Sequence, residues 1–276
     1  MADFATLPGG LYYGSDRSEF LDADADIPGT FDNLISSFGG ADTIFAGLGN
    51  DLVSGGGGND RVFGQDGTDT IYGDQGNDTL NGGNGSDVVL GGRGHDVLAG
   101  ELGDDRLGGG SGNDVIAAAG GRDALEGDGG NDTLDGGTGD DRAGGGEGDD
   151  LILGGTGNDT VAGDGGDDTL AGSNGDDLLY GGAGSDDLAG GAGGDAFHFE
   201  SGFGRDVVLD FRRGEDILEI QSGINGTGIT EVSQLAPYIS GDKTGAVITL
   251  GGDQIKLVGV SARDLAGNLD TYVRIV

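Results

Sequence analysis

Aspartate recurs at every ninth position along most of the chain: Asp42, Asp51, Asp60, Asp69, Asp78, Asp87, Asp96, Asp105, Asp114, Asp123, Asp132, Asp141, Asp150, Asp159, Asp168, Asp177, Asp186 and Asp195. Carboxylate oxygens at a fixed spacing are donors for a hard cation. The plain alternative is that each aspartate is a turn residue, since Asp beside Gly is common in loops. Ordinary turns do not need eighteen copies in register, and an internal repeat of this kind reads as a stacked architecture. The charge agrees: 50 acidic residues against 13 basic ones give a formal net charge of −37. Such a chain repels phosphate, so nucleic acid is excluded as an electrostatic partner, and crowded carboxylates oppose compaction unless something cationic joins them. With no cysteine, disulfides, thiolate zinc sites and thiol nucleophiles are excluded, which leaves oxygen ligands and hard metals.

The elements that must place these carboxylates follow from the rest of the repeat. Two residues before each aspartate stands a glycine, from Gly40 to Gly193, and two residues after it an apolar residue, from Ile44 to Phe197, with Ala143 the weak member. Five residues before, glycine recurs except at Ser37, Ala46 and Ala118. The stretch that opens on the aspartate, such as Asp78 to Asn81 or Asp87 to Leu90, reads as a short strand with its apolar residue turned to one side. The glycines before it read as a turn. Nine residues then make half a coil, and two units make one turn of a right-handed parallel solenoid, with two sheets closing on a thin apolar interior. The 67 glycines are therefore not a sign of disorder, and three prolines are too few for collagen.

The pattern G-G-x-G-x-D-x-U-x, intact in GGNGSDVVL from Gly82 and GGTGNDTVA from Gly154, resembles the RTX, or hemolysin-type, calcium-binding repeat. The resemblance covers positions 37–198. It implies an all-β parallel β-roll of eighteen nonapeptide units, with calcium ions between turns stacked on the same side, held by the aspartate carboxylates and loop carbonyls. On that basis Asp42, Asp60, Asp78, Asp96, Asp114, Asp132, Asp150, Asp168 and Asp186 form one ligand column and the other nine aspartates a second, with room for up to about sixteen ions. Physical chemistry argues the same way. One apolar residue in nine does not offset the entropy of ordering the other eight. Carboxylates stacked at strand spacing repel by roughly 3.5 kcal/mol per pair at an effective dielectric of about 20. Calcium, which tolerates six to eight oxygens in irregular geometry, suits such a column better than magnesium.

Local departures mark weaker slots. Ala118-Ala119-Gly120-Gly121-Arg122 before Asp123 lacks both leading glycines and sets a cation beside the ligand. Gln65, Asp74, Glu101, Asp128, Asp164 and Ser173 replace the second glycine, and the acidic ones either add a ligand oxygen or face solvent.

Solenoid ends expose their interior and need atypical caps. Residues 1–36, with Phe4, Tyr12, Tyr13, Phe20 and Phe31, read as an N-terminal cap; its Asp22-Ala-Asp24-Ala-Asp26 run is either a further cation site or a solvated acidic loop. Residues 199–276 lose the period and alternate as ordinary strands, with a hairpin expected from Ala246 to Val260. They resemble the capping region of RTX proteins exported by type I secretion machines, and the final Asp270-Thr-Tyr-Val-Arg-Ile-Val is similar to that family's C-terminal signal. The opening residues lack a basic n-region and an apolar h-region, and no apolar run is long enough to span a bilayer, which fits export by that route to the extracellular space.

Catalysis finds no constellation: neither H-E-x-x-H nor G-x-S-x-G is present around His95, His198 or any serine. The expectation is a secreted, non-enzymatic calcium-binding module that folds outside the cell and acts in matrix, surface or adhesion, with a cell-surface polysaccharide or protein as partner. The alternative is a membrane-active RTX factor, although no apolar helical domain precedes the repeats.

Overall fold

A computed structural model describes residues 5–7, 11–23 and 32–276. Phe4 and Phe31 of the expected N-terminal cap, and Asp24 and Asp26 of its acidic run, lie outside the described residues. The chain forms two compact units, Met1–Arg142 and Ala143–Val276.

In the first unit, successive strands alternate between two parallel sheets. One sheet takes the order Leu34–Ser36, Leu52–Ser54, Thr70–Gln75, Val88–Arg93, Arg106–Ser111 and Ala124–Gly129; the other takes Thr43–Leu48, Arg61–Asp66, Thr79–Asn84, Val97–Leu102, Val115–Gly120 and Thr133–Thr138. Each strand pairs with the one two strands on at an offset of eighteen residues, as Val89 does with Ile71 and with Leu107. Every strand therefore turns the same side chain inward: Ile71, Val89, Leu107 and Leu125 are at most 1% exposed. In the second unit, Leu151–Thr156, Thr169–Asn174 and Asp187–Ala192 stack in the same way, as do Thr160–Gly165, Leu178–Tyr180 and Ala196–Phe199. Both units are thus parallel β-solenoids.

The strands are longer than the sequence predicts. Thr79–Asn84 and Val88–Arg93 run through the two leading glycines of the following repeat; the first is a strand residue, while the second keeps a positive φ, +113° at Gly83 and +105° at Gly92, so the chain also bends there. The reason is lateral fit. The first glycine of the pair faces the interior, where a side chain would collide with the carboxylate. The strand ladder is also interrupted there: Leu90 pairs with Gly108 and Gly92 with Gly110, while Gly91 and Gly109 are passed over.

The glycine two before each aspartate packs most tightly. Gly58 has φ of +129°, and a Cβ on it would overlap the carbonyl oxygen of Gly40 one turn earlier. Coils stacked at β-spacing leave no room for a side chain at this corner.

At the C-terminal end the order changes. Arg205–Val208 still pairs in parallel with Asp187–Ala192, and Ile217–Ile220 with Ala196–Phe199. Gly245–Leu250 and Asp253–Val258 form an antiparallel hairpin, whose second strand runs parallel to Arg205–Val208. A short helix, Ala262–Gly267, is capped by Ser261, whose side chain accepts the Asp264 N–H.

Candidate metal centre

None of the eighteen repeat aspartates is more than 3% exposed. What holds them inside is a ladder. In the first unit the backbone N–H of each aspartate donates to Oδ1 of the aspartate one coil later, from Asp42 to Asp60 through Asp123 to Asp141, at 2.7–2.8 Å. The second unit repeats this from Asp150 to Asp168, Asp159 to Asp177, Asp168 to Asp186 and Asp177 to Asp195 at 2.8–3.1 Å. The two columns laid out from the sequence correspond to the two ladders within each unit.

The second carboxylate oxygen has no such partner. Oδ2 of Asp42, Asp51, Asp60, Asp69, Asp78, Asp87, Asp96, Asp105, Asp114 and Asp123 in one unit, and of Asp168, Asp177, Asp186 and Asp195 in the other, is buried without a hydrogen bond. A buried acceptor left unpaired is costly, and a charged one more so. Burial accordingly pushes these carboxyls upward, with the N–H bond opposing and neighbouring carboxylates adding. Asp51, Asp78 and Asp168 rise to about 7, and Asp60, Asp69, Asp105 and Asp177 to about 6. At neutral pH the ladders hold more negative charge than the protein itself compensates.

The interior glycine packs directly against these oxygens and leaves no room for a side chain. The point where a Cβ on Gly73 would stand lies 2.5 Å from Asp78 Oδ2 and 2.6 Å from the Gly91 carbonyl oxygen. Both are closer than a Cβ tolerates, so glycine is what lets the carboxylate and the carbonyl oxygen lie this near the backbone. Gly64, with Asp69 and Gly82, and Gly163, with Asp168 and Gly181, repeat the arrangement. Among the described residues no three His, Cys, Asp or Glu side chains converge, so a cation held here would need main-chain oxygens beside one or two carboxylates. A donor set of oxygens alone fits calcium and does not fit zinc.

The departures from the repeat have distinct outcomes. Ala118 and Ala46 are fully buried at the interior glycine position, so a methyl group stands where Gly73 has none. Arg122 does not reach Asp123; its guanidinium lies on the surface, 3.8 Å from Asp104. Asp74, Glu101, Asp128 and Asp164 face solvent with φ near +70°. Asp74 accepts the Ser54 hydroxyl and Glu101 the Asn81 amide on the outer face. At the beginning of one ladder Glu19, itself buried, donates its N–H to Asp42 Oδ1 at 2.7 Å, and Ser37 Oγ donates to the Gly55 carbonyl; at the beginning of the other, Asn33 donates its N–H to Asp51 Oδ1 and its side-chain amide to the Ala46 carbonyl.

Two members escaped the sequence reading. Asp206 accepts the Asp186 N–H at 3.2 Å and Asp216 the Asp195 N–H at 3.1 Å, both buried. Their offsets of 20 and 21 residues break the period. The local signal was present, since Gly204-Arg205-Asp206-Val207-Val208 and Gly214-Glu215-Asp216-Ile217-Leu218 keep the glycine before and the apolar residue after. The histidines lie elsewhere: His95 Nδ1 accepts the Asn113 N–H on the exposed turn ladder, and His198 packs against Tyr180 with Glu200 and Glu219 each 3.5 Å away.

Parallel coils tied through ladders of interior carboxylates define a β-solenoid whose buried oxygens fit a hard cation. The chain belongs to the RTX calcium-binding nonapeptide repeat family, whose model matches it in ten overlapping stretches from 29–53 to 162–197. Its repeats are thus of the calcium-binding kind. Among solved structures it is similar to an extracellular lipase, LipA, from Serratia marcescens (21% identity, TM-score 0.39), covering 87% of this chain and 40% of the lipase. It is also similar to a hyperactive, Ca2+-dependent, β-helical antifreeze protein from an Antarctic bacterium (21% identity, TM-score 0.42), covering 80% of this chain and 86% of that one. The chain thus spans about two fifths of the lipase's length. No curated protein matches it.

Proposed function

We propose that this chain is a secreted calcium-binding protein that folds on binding several ions outside the cell and then serves as a structural or interaction module, in matrix, surface or adhesion, without catalytic activity. The observation that carries the proposal is the pair of aspartate ladders with buried, unbonded Oδ2 atoms. In low calcium the carboxylates repel one another and the thin apolar interior does not hold the coils. In the millimolar calcium of the extracellular medium the ladder becomes a set of bridged coils. The Oδ1 bonds orient the carboxylates, the interior glycines let carboxylate and carbonyl oxygens approach, and Asp123, Asp51 and Asp42, where a side chain replaces that glycine, contribute less. Folding withheld until export suits passage through a type I secretion machine, with the C-terminal residues as its signal.

No helix among the described residues is long and apolar enough to cross a membrane. Release of dye from lipid vesicles tests the role: the proposal expects none with or without calcium. Leakage at low protein concentration would overturn it in favour of a membrane-active factor.

A further inference from the structure

The last slot of one aspartate ladder is built differently from the others. Asp195 and Asp216 are both buried, and the Asp195 N–H bonds Asp216 Oδ1 as in every other coil. Here, however, the side chain of Arg212 enters from the adjoining loop. Its Nη2 donates to the Gly193 carbonyl and lies 3.7 Å from Asp195 Oδ2 and 3.9 Å from Asp216 Oδ1. Its Nη1 lies 3.3 Å from the exposed Glu215, and its backbone N–H donates to Asp216 Oδ2 at 2.6 Å. The Asp216 and Glu215 N–H groups return to the Arg212 carbonyl, closing residues 212–216 into a tight loop.

We infer that Arg212 is the resident cation of this slot, occupying with its guanidinium the place that a metal ion takes in the preceding coils. This inference rests on the calcium reading of the ladders. The groups it touches are of the same kinds as the candidate metal donors, two interior carboxylates and one loop carbonyl. A planar fork of donors with a permanent charge suits such a mixed set. The space is available because the coil stack ends here. A Cβ on Gly193 would overlap the Gly175 carbonyl, whereas nothing lies within 4 Å of the corresponding position on Gly214. The final turn has stepped away from Gly193, and the arginine fills the step. The sister ladder ends without this device: Asp206 accepts the Asp186 N–H, its Oδ2 is buried and unbonded, and among the described residues no basic side chain pairs with it. One ladder therefore closes on a cation supplied by the chain, and the other closes on a buried carboxyl with no basic partner among the described residues.

The test is the number of calcium ions bound per chain at saturation, by equilibrium dialysis and elemental analysis, for the full chain and for R212Q and R212K. The expected result is one more ion in R212Q than in the wild type, and the wild-type number in R212K, which keeps the charge. Should R212Q fail to fold at any calcium concentration, R212K decides: folding with the wild-type number supports the inference, and any other result overturns it. A calcium-loaded wild type with an unchanged number in R212Q overturns this inference alone, whereas a wild type that binds no calcium overturns the calcium reading and the inference with it.

Discussion

The backbone N–H of Asp60 donates to Oδ1 of Asp78 at 2.7 Å, and the other oxygen of Asp78 is buried with no hydrogen bond. That division of labour within one carboxylate underlies the behaviour expected of the whole chain. One oxygen positions the group through the fold, and the other is left buried without a partner.

Replacing Asp78 with Asn keeps the Oδ1 acceptor and removes the charge. The new amide then faces the Gly91 carbonyl as a donor, much as Asn33 does toward Ala46. The expected outcome for D78N is fewer bound ions at saturation and a chain that orders more readily in chelator than the wild type, checked by equilibrium dialysis and circular dichroism. An unchanged ion number would show that Asp78 is not a ligand.

The interior glycine can be tested in both directions. In Gly73→Ala the methyl group competes with the space between Asp78 Oδ2 and the Gly91 carbonyl, with an expected loss of about 1–3 kcal/mol from overpacking and weaker calcium binding. Ala118→Gly, beside Asp123, is expected to open a slot and strengthen calcium binding. Calcium titrations followed by circular dichroism should move in opposite directions for the two variants; parallel shifts would contradict a role for the interior glycine in letting the ligand oxygens approach.

The corner glycine reports on packing alone. Gly58→Ala drives a methyl group into the Gly40 carbonyl at a φ of +129°, and the combined strain and overlap should cost at least about 3 kcal/mol. The thermal midpoint in saturating calcium should fall by many degrees, whereas D78N, measured in the same way, should lose less.

Acidity should act oppositely on the two states. Burial raises Asp51, Asp78 and Asp168 to about 7, and Asp60, Asp69, Asp105 and Asp177 to about 6, above the roughly 3.9 of an unfolded chain. Raised carboxyl values favour the metal-free fold fully below about pH 4, and that contribution is lost as pH rises through 6 to 7. The chelated chain should therefore show more β-structure at about pH 5 than at pH 8. Calcium binding near pH 6 should release protons, measurable by calorimetry in buffers of differing ionisation heat. A pH-independent chelated spectrum would contradict the burial of these groups.

Much of this is legible in the sequence because the period of the aspartates equals half a coil: the parallel sheets, the interior column from Ile44 to Phe197 and the two columns of buried aspartates follow from counting by nine. Of the two leading glycines, the second has the positive φ expected of a turn, as at Gly83 and Gly92, whereas at the first, as at Gly73 and Gly91, the reason for glycine is the inward carboxylate rather than backbone reversal. Asp206 and Asp216 were hidden by loops of altered length, which shift the period without moving the residues off their ladders. Arg212 carries no sequence signal, since its place beside Asp195 depends on how a single irregular loop closes.

The most direct test is the far-ultraviolet circular dichroism of the full chain at neutral pH, first in chelator and then in millimolar calcium. The expected result is a disordered spectrum that converts to a β spectrum as calcium is added; a β spectrum already present in chelator and unchanged by calcium would contradict the ladders' need for a cation.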